Sequence, residues 1–130
     1  MQKNLKFLTI QELINIHNEL ILLYGGSLGI RDRGLLESAL SQPQATFGSQ
    51  QLHKDIYEKA AAYFFHIIKN HPFVDGNKRT ACTSTIIFLI MNDCDINLNK
   101  NQLYNLAVDV ANSKLQKKQI SNLFKKLAKN

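Results

Sequence analysis

The chain has 130 residues, a length that predicts one domain, over residues 1–130, with its own hydrophobic core. No apolar run reaches about 18 residues without a charged or strongly polar residue, which argues against a membrane span. The N-terminal residues also lack the apolar region of a secretory signal, so we expect a cytoplasmic protein.

The formal net charge of +6 lies entirely in the C-terminal segment. Residues 114–130 hold six lysines and no acidic residue, and the rest of the chain is neutral. A basic helix can bind nucleic acid or an acidic protein, but a run of lysines is more often a solvated helix face. We therefore do not expect direct nucleic-acid binding, although a non-enzymatic binding module that uses this helix remains an alternative.

The first helix is predicted from its two ends. Thr9 and Glu12 have the spacing of a capping box, and Gly25 follows the last residue of the helical pattern, Tyr24. Apolar residues recur between them at helical spacing. His17 lies on this helix without a second ligand four residues away, so we expect it to be a packing partner rather than a metal ligand.

A second, short helix is expected to begin after Asp32 and to end before Pro43. Arg31, Asp32 and Glu37 can pair with one another and so fix this segment against the central helices. In the alternative, the segment helps to form a wall of the nucleotide pocket or of a partner groove. Residues 43–53 are polar and contain a glycine, which predicts a surface loop. From connectivity alone, this loop either lies near the polar stretch of residues 71–81 described below or is an ordinary connector.

Strongly apolar segments predict two central helices, over about residues 54–70 and 77–92. Asn99 can cap a further amphipathic helix, and a last helix is expected over 117–129. No segment alternates between polar and apolar residues for long enough to predict a strand. The expected fold class is therefore all-α, with about six helices around the central pair. Cys82 and Cys94 lie about 18 Å apart along one helix, too far for a disulfide.

A polar stretch with the sequence HPFVDGNKRTA, residues 71–81, joins the two central helices. Pro72 predicts that the first central helix ends near Asn70 and that His71 is extended. Since apolar helices flank the stretch on both sides, we expect it to be held rigidly at the edge of the core.

The second half of this stretch has the composition of an anion site. Gly76 permits a backbone turn with positive φ, and Asp75 or Asn77 is expected to cap the following helix. Unpaired N–H groups at the helix N-terminus favour an anion, and Lys78 and Arg79 add positive charge. The sequence predicts a phosphate site, although composition alone also allows a purely structural, hydrogen-bonded turn.

The order of these residues resembles the signature of the Fic/Doc superfamily, HxFx(D/E)GNGRxxR, and is most similar to its Doc (death-on-curing) toxin branch. Six positions match the pattern: His71, Phe73, Asp75, Gly76, Asn77 and Arg79. Lys78 replaces the usual second glycine and Cys82 replaces the usual second arginine, and both changes are typical of the Doc branch. Residues 29–40 also resemble the N-terminal region of Doc proteins.

The resemblance implies a transferase that uses ATP. His71 would accept a proton from an attacking hydroxyl, Asp75 would bind Mg²⁺ through the phosphates of ATP, and Arg79 would stabilise the transferring group. The phosphate-binding residues would be Gly76, Asn77, Lys78 and Arg79. A metal site built directly from His66, His71, Asp75 and Cys82 has no recognised ligand spacing and is not expected.

The resemblance also implies a substrate, a biological role and a partner protein. Doc-like proteins are understood to pass the γ-phosphate of ATP to a Thr or Ser of a translation factor, elongation factor Tu, whereas the usual superfamily members transfer AMP. The expected function is therefore a toxin with protein kinase activity that arrests translation, and AMP transfer to a protein hydroxyl is the alternative. The expected partner is a separately encoded, Phd-like antitoxin with a segment that folds on binding.

Overall fold

The computed structural model describes residues 4–129, which form six α-helices with helix α3 at the centre. The elements in chain order are α1 (Ile10–Tyr24), α2 (Arg33–Ser41), a 3₁₀ turn (Gln42–Gln44), β1 (Thr46–Phe47), β2 (Gln50–Gln51), α3 (Ile56–Asn70), α4 (Asn77–Met91), α5 (Lys100–Ala111) and α6 (Lys117–Lys126). The prediction of an all-α fold around a central helix pair is confirmed.

Helix α3 forms the centre of the core, because helices α2, α4, α5 and α6 all pack against it. Its residues Ala60, Ala61 and Ala62 are fully buried, and their small side chains let neighbouring helices approach closely. Aromatic rings fill the larger spaces around them. The largest fully buried side chains include Tyr63, Phe64, Phe73, Phe88 and Phe124.

Three of the predicted helix caps are confirmed, at the starts of α1, α2 and α5. The Glu12 N–H donates to Thr9 Oγ1 at 3.1 Å, and the Thr9 N–H donates to Glu12 Oε1 at 2.8 Å, which completes the capping box of α1. Asp32 caps α2 by accepting the Leu35 N–H at 2.9 Å. Asn99 caps α5 in the same way. These caps satisfy backbone donors that have no partner inside the helix.

Residues 43–53, which were predicted as a surface loop, lie away from the polar stretch of residues 71–81. Strands β1 and β2 form a short antiparallel pair within this segment, which its polar composition did not predict. Buried Lys59 donates to Gln51 Oε1 at 2.7 Å and to the His53 carbonyl, and so fixes the segment at the N-terminal end of α3. Since α3 is about 22 Å long, this is the end opposite His71. The alternative that placed the segment near His71 is therefore wrong, and the structure agrees with the connector.

The predicted pairing of Arg31, Asp32 and Glu37 is also wrong. Glu37 instead pairs with Arg33, whose Nε lies 3.2 Å from Glu37 Oε1, one helical turn away on α2. Asp32 is occupied as a helix cap, and Arg31 reaches the C-terminal end of α3. Each of these side chains binds a backbone group or a side chain of its own helix, instead of the partner that sequence proximity suggested.

Helix α4 is less buried than its composition indicated. Ile87 and Ile90 are 37% and 58% exposed, so one face of this helix is open. Within the part of the chain that the structure describes, no helix is long and apolar enough to cross a membrane.

Three of the six C-terminal lysines contact other side chains of the protein. Lys125 Nζ lies 3.0 Å from Asp55 Oδ2 and 3.1 Å from Glu58 Oε1, and Lys129 pairs with Asp95 at 3.5 Å. Lys117 Nζ lies 3.0 Å from His66 Nε2. The contacts of Lys117 and Lys125 attach α6 to α3 and its cap residue, and the contact of Lys129 attaches the residues after α6 to the segment that follows α4. Part of the positive charge therefore stabilises the fold.

Candidate active site

The polar turn, residues 71–76, connects α3 to α4 and begins at His71. This residue ends α3 in a left-handed conformation, with φ of 50° and ψ of 55°. The extended conformation predicted for it is therefore wrong, although α3 does end at Asn70. A following proline disfavours the right-handed α region, but the left-handed region remains open and is the one that commonly ends a helix. His71 is exposed at the end of the core.

Arg31 holds the start of the polar turn by its guanidinium group. Its Nε donates to the His71 carbonyl at 2.6 Å and its Nη2 donates to the Asn70 carbonyl at 2.9 Å. The backbone N–H groups of Arg31 and Asp32 both donate to the Pro72 carbonyl, at 2.7 and 3.1 Å. The last carbonyls of α3 thus have partners outside the helix, and the backbone at His71 is fixed.

Asn77 holds the His71 ring. The Asn77 Oδ1 accepts the Phe73 N–H at 2.9 Å, and its Nδ2 donates to the Phe73 carbonyl at 3.0 Å. These two bonds determine which end of the amide is nitrogen, and that nitrogen lies 3.0 Å from His71 Nδ1. An amide nitrogen only donates, so Nδ1 accepts and the neutral His71 ring carries its proton on Nε2.

The N-terminus of α4 has no side-chain cap among the described residues. Gly76 takes the cap position with φ of 77°, and the prediction that Asp75 or Asn77 caps the helix is wrong. The first helical bond runs from the Thr80 N–H to the Gly76 carbonyl at 3.0 Å. The N–H groups of residues 77–79 precede that bond, and donors in this position favour an anion.

Gly76 is favoured by its backbone conformation and has little space for a side chain. A Cβ atom at this position would lie 3.1 Å from the Cδ1 atom of Ile21 on α1, and the positive φ would strain any other residue. Helix α1 therefore packs directly against the start of α4, next to the polar turn.

Asp75 projects an exposed carboxylate from the polar turn. Its Oδ1 accepts the Gly76 N–H at 2.9 Å and its Oδ2 accepts the Ser27 N–H at 3.2 Å. Each oxygen keeps a further lone pair, which suits a single carboxylate ligand for Mg²⁺ beside phosphate and water oxygens. Across residues 4–129, no three His, Cys, Asp or Glu side chains form a group that could hold a metal by themselves, and His66 instead contacts Lys117.

His17, on helix α1, packs against the polar turn. Its ring is buried, stacks on Phe73 with centroids 3.8 Å apart, and its Nε2 donates to the Asp75 carbonyl at 2.7 Å. The prediction that His17 is a packing partner is confirmed, but its role beside the site was missed. The sequence did contain an indication of this role. His17 lies four residues from both Leu13 and Ile21, on the buried face of α1, and a polar ring on a buried face needs a hydrogen-bond partner.

The structure brings all the predicted site residues together around one small cavity of about 150 Å³ at the polar turn. The lining includes His71, Asp75, Gly76, Asn77, Lys78 and Arg79, together with Ile68, Tyr104 and Ala111. Imidazole, carboxylate and cationic groups thus face the same space as the N-terminus of α4. This combination can bind a phosphate chain and place a proton acceptor beside it.

Arg79 makes contacts that the sequence did not indicate. Its guanidinium carbon lies 4.4 Å from the centre of the Tyr24 ring and 5.6 Å from the centre of the Tyr104 ring. Cys82, one turn further along α4, lines a neighbouring cavity instead of the one at the polar turn. Burial raises the pKa of its thiol to about 12, so Cys82 is neutral and cannot replace an arginine as a phosphate ligand.

Comparisons with known proteins agree with the motif. A model of the Fic/DOC family matches residues 7–89. The chain is 28% identical to the protein named "Protein kinase doc" of Escherichia phage P1, over 95% of this chain and 96% of the phage protein. It is 44% identical to "Toxin Doc" of Mycolicibacterium smegmatis over 69 residues, which cover 53% of each chain. The match of well over half of the chain, which includes the polar turn, shows that the protein belongs to the Fic/DOC family.

Proposed function

We propose that this protein is the toxin of a toxin–antitoxin pair and that it transfers the γ-phosphate of ATP to a Thr or Ser hydroxyl of a translation elongation factor. The observation that carries the proposal is the meeting of His71, Asp75 and Arg79 around the open N-terminus of α4. The names of the two relatives, a toxin and a protein kinase, support the biological setting and the reaction class.

ATP fits the charge and the donors of the site. The N–H groups of residues 77–79 and the side chains of Lys78 and Arg79 would bind phosphate oxygens. Asp75 would hold Mg²⁺, which supplies positive charge that neutralises the phosphates. The backbone bonds to the Asp75 carboxylate keep it oriented toward that position without using all its lone pairs.

In the proposed reaction, the oxygen of the protein hydroxyl forms a bond to the γ-phosphorus. The bond between that phosphorus and the β,γ-bridging oxygen breaks, and ADP leaves. His71, which is exposed at the polar turn, accepts the hydroxyl proton on its imidazole ring. Arg79 leaves its contact with Tyr24 to reach the charge on the transferring group.

The second candidate activity, AMP transfer, is disfavoured by two side chains. Lys78 occupies the position at which the superfamily pattern has a glycine, so its side chain takes space close to the backbone of the site. The thiol of Cys82 is neutral and does not line the cavity at the polar turn, so it cannot replace the second arginine of the pattern. Both differences support γ-phosphate transfer over AMP transfer.

A non-enzymatic role for the basic C-terminal helix receives less support. Lys117, Lys125 and Lys129 already contact side chains of the protein itself, which leaves less of the charge for a partner. The partner that we propose is instead a separately encoded, Phd-like antitoxin, by analogy with the named toxin relative. Its contact surface would regulate access to the polar turn.

Controlled expression in bacteria tests this proposal. Expression of the unchanged chain should arrest growth and translation, and His71→Ala should restore both, because loss of the proton acceptor slows transfer by about 10²–10⁴-fold. Lys114→Ala is the matched control, since Lys114 is exposed and lies outside the site. Growth arrest by the His71→Ala protein, at an equal level of folded protein, would show that the toxicity is not catalytic.

A further inference from the structure

A cavity of about 570 Å³ lies at the N-terminal end of α3, the end opposite His71. Its walls come from the segment before α1, from the 3₁₀ turn, from strands β1 and β2 and from the start of α3. No residue of the polar turn lines it, and the proposed function does not use it. Its volume is within the range of small-molecule sites.

Lys59 is a buried lysine in the wall of this cavity. Only 4% of the residue is exposed. Its Nζ donates to Gln51 Oε1 at 2.7 Å and to the His53 carbonyl, and both of these acceptors are neutral. Over residues 4–129 Lys59 makes no ion pair, and residues 1–3 contain no acidic side chain. An ammonium group has three donors, so one donor of Lys59 is left for a ligand.

The acidic residues nearest to Lys59 in the sequence are bound to another lysine. Asp55 Oδ2 and Glu58 Oε1 lie 3.0 and 3.1 Å from the Nζ atom of Lys125. Burial lowers the pKa of Lys59, and the charges of Asp55 and Glu58 offset only part of this effect. A buried positive charge without an anionic partner costs free energy, and a bound anion would reduce that cost.

The donors around Lys59 fit a carboxylate group. Because Gln51 Oε1 accepts from Lys59, the amide nitrogen of Gln51 keeps its N–H donors beside the ammonium. The remaining donor of Lys59 and the donors of Gln51 match the two oxygens of one carboxylate. Lys54 lines the same cavity and adds a second positive charge, and no acidic residue of the described chain lines it.

The other side of the cavity is apolar. Leu5 and Phe7 line it, and the Phe7 ring packs on Phe88 with centroids 5.6 Å apart. An inorganic anion would leave these two side chains without a contact, and a purely apolar ligand would leave Lys59 without an anion. We propose that the cavity binds a small organic carboxylate, with its carboxylate on Lys59 and Gln51 and its apolar part against Leu5 and Phe7. This site is independent of the proposed kinase activity.

NMR titrations of the unchanged, ¹⁵N-labelled protein with benzoate and with hexanoate test the inference. Both should shift the side-chain amide signals of Gln51 in a saturable way. Benzamide, the neutral analogue of benzoate, should bind at least about tenfold more weakly, because it lacks the charge that pairs with Lys59. Acetate, which lacks the apolar part, should also bind at least about tenfold more weakly. No saturable shift with either benzoate or hexanoate, or equal binding of benzoate and benzamide, would overturn the inference.

Substitutions identify the group that binds the carboxylate. Lys59→Met keeps the apolar part of the side chain and should weaken benzoate binding at least about tenfold. Lys54→Met is the control for the loss of one charge, since Lys54 is exposed, and should weaken binding only about twofold. Equal effects of the two would mean that the cavity attracts anions only by its general charge. If Lys59→Met does not fold, the comparison of benzoate with benzamide on the unchanged protein decides.

The His71→Ala protein separates this site from the proposed kinase activity. It should bind benzoate with unchanged affinity, because the cavity lies at the other end of α3. Loss of benzoate binding in this variant would place the carboxylate at the polar turn and would overturn the inference. A failure of the kinase proposal would leave the predicted benzoate binding intact.

Discussion

The amide nitrogen of Asn77 lies 3.0 Å from His71 Nδ1, and the same amide is anchored by two bonds to the backbone of Phe73. This relationship assigns the proton of the neutral imidazole to Nε2 and leaves the basic lone pair on Nδ1, beside the N-terminus of α4. The residue that orients the proposed proton acceptor is thus part of the same helix that would bind the phosphates.

The tautomer of His71 can be measured directly. In ¹⁵N NMR spectra above pH 7, we expect a pyridine-like signal from Nδ1 and a pyrrole-like signal from Nε2, because Asn77 can only donate to Nδ1. Asn77→Asp should reverse the two signals, since a carboxylate oxygen favours an N–H at Nδ1, and should reduce phosphate transfer by about 100-fold or more. A pyrrole-like Nδ1 in the unchanged protein would contradict the assignment.

Arg31→Lys should lower both stability and activity. Lysine keeps the charge but cannot donate to the Asn70 and His71 carbonyls in the geometry of the guanidinium fork. We expect the free energy of unfolding to fall by about 1–2 kcal/mol in urea titrations, and the transfer rate to fall by about tenfold as His71 becomes less well placed.

Arg33→Lys is the matched control for this change, because the pair of Arg33 with Glu37 is exposed and lies within one helix. Its effect on stability should stay within about 0.5 kcal/mol, with no effect on transfer. Equal effects of the two substitutions would show that the contacts of Arg31 with the end of α3 do not hold the site.

Gly26→Ala should weaken the use of Mg²⁺. A Cβ atom at Gly26 would lie 2.7 Å from Asp75 Oδ2, so the carboxylate would have to move. We expect the Mg²⁺ concentration that gives half-maximal transfer to rise by at least about fivefold, because Asp75 supplies the one proposed carboxylate ligand. Gly25→Ala is the control: it has a similar positive φ, but its Cβ would meet nothing within 4 Å. If the two variants need the same Mg²⁺ concentration, Asp75 is not the ligand.

The contact of Lys117 with two histidines predicts a loss of stability in acid. Burial first, and the charge of Lys117 second, lower the pKa of His66 to about 4, and the same causes lower the pKa of His53. The unfolded chain binds these protons near pH 6.5. The stabilisation is therefore complete above pH 6.5 and is lost as the pH falls toward 4.

Urea titrations between pH 7 and pH 4 check this dependence. The free energy of unfolding should fall by about 2 kcal/mol for His66 over that range. Lys117→Met should reduce the slope, because the pKa of His66 then lies closer to that of the unfolded chain. A stability that does not change between pH 7 and pH 5 would mean that His66 is protonated as easily in the folded state as in the unfolded state.

Local sequence signals predicted the helices and the composition of the site. The capping box of Thr9 and Glu12, the cap of Asp32 and the apolar central segments act within a few residues, so their outcomes follow from local geometry. The motif placed five polar side chains within nine positions of one turn, and a single turn between two packed helices brings them to one cavity.

The contacts between distant segments could not be predicted in the same way. Tyr24, Arg31 and Tyr104 reach the site from α1, from the loop after it and from α5, respectively, and nothing in their local sequence specifies those partners. His71 was expected to be extended because proline excludes one helical region, but the choice between the two remaining regions depends on the chain reversal and on Arg31.

Label transfer to purified elongation factor Tu tests the proposed kinase activity, with the purified protein, Mg²⁺ and ATP labelled in parallel at the γ- or the α-phosphate. We predict label on a Thr or Ser of the factor from γ-labelled ATP alone, with no label in the presence of the His71→Ala protein. Label from α-labelled ATP would contradict the account, because the nucleotide would then lie in the opposite direction and the transferred group would be AMP.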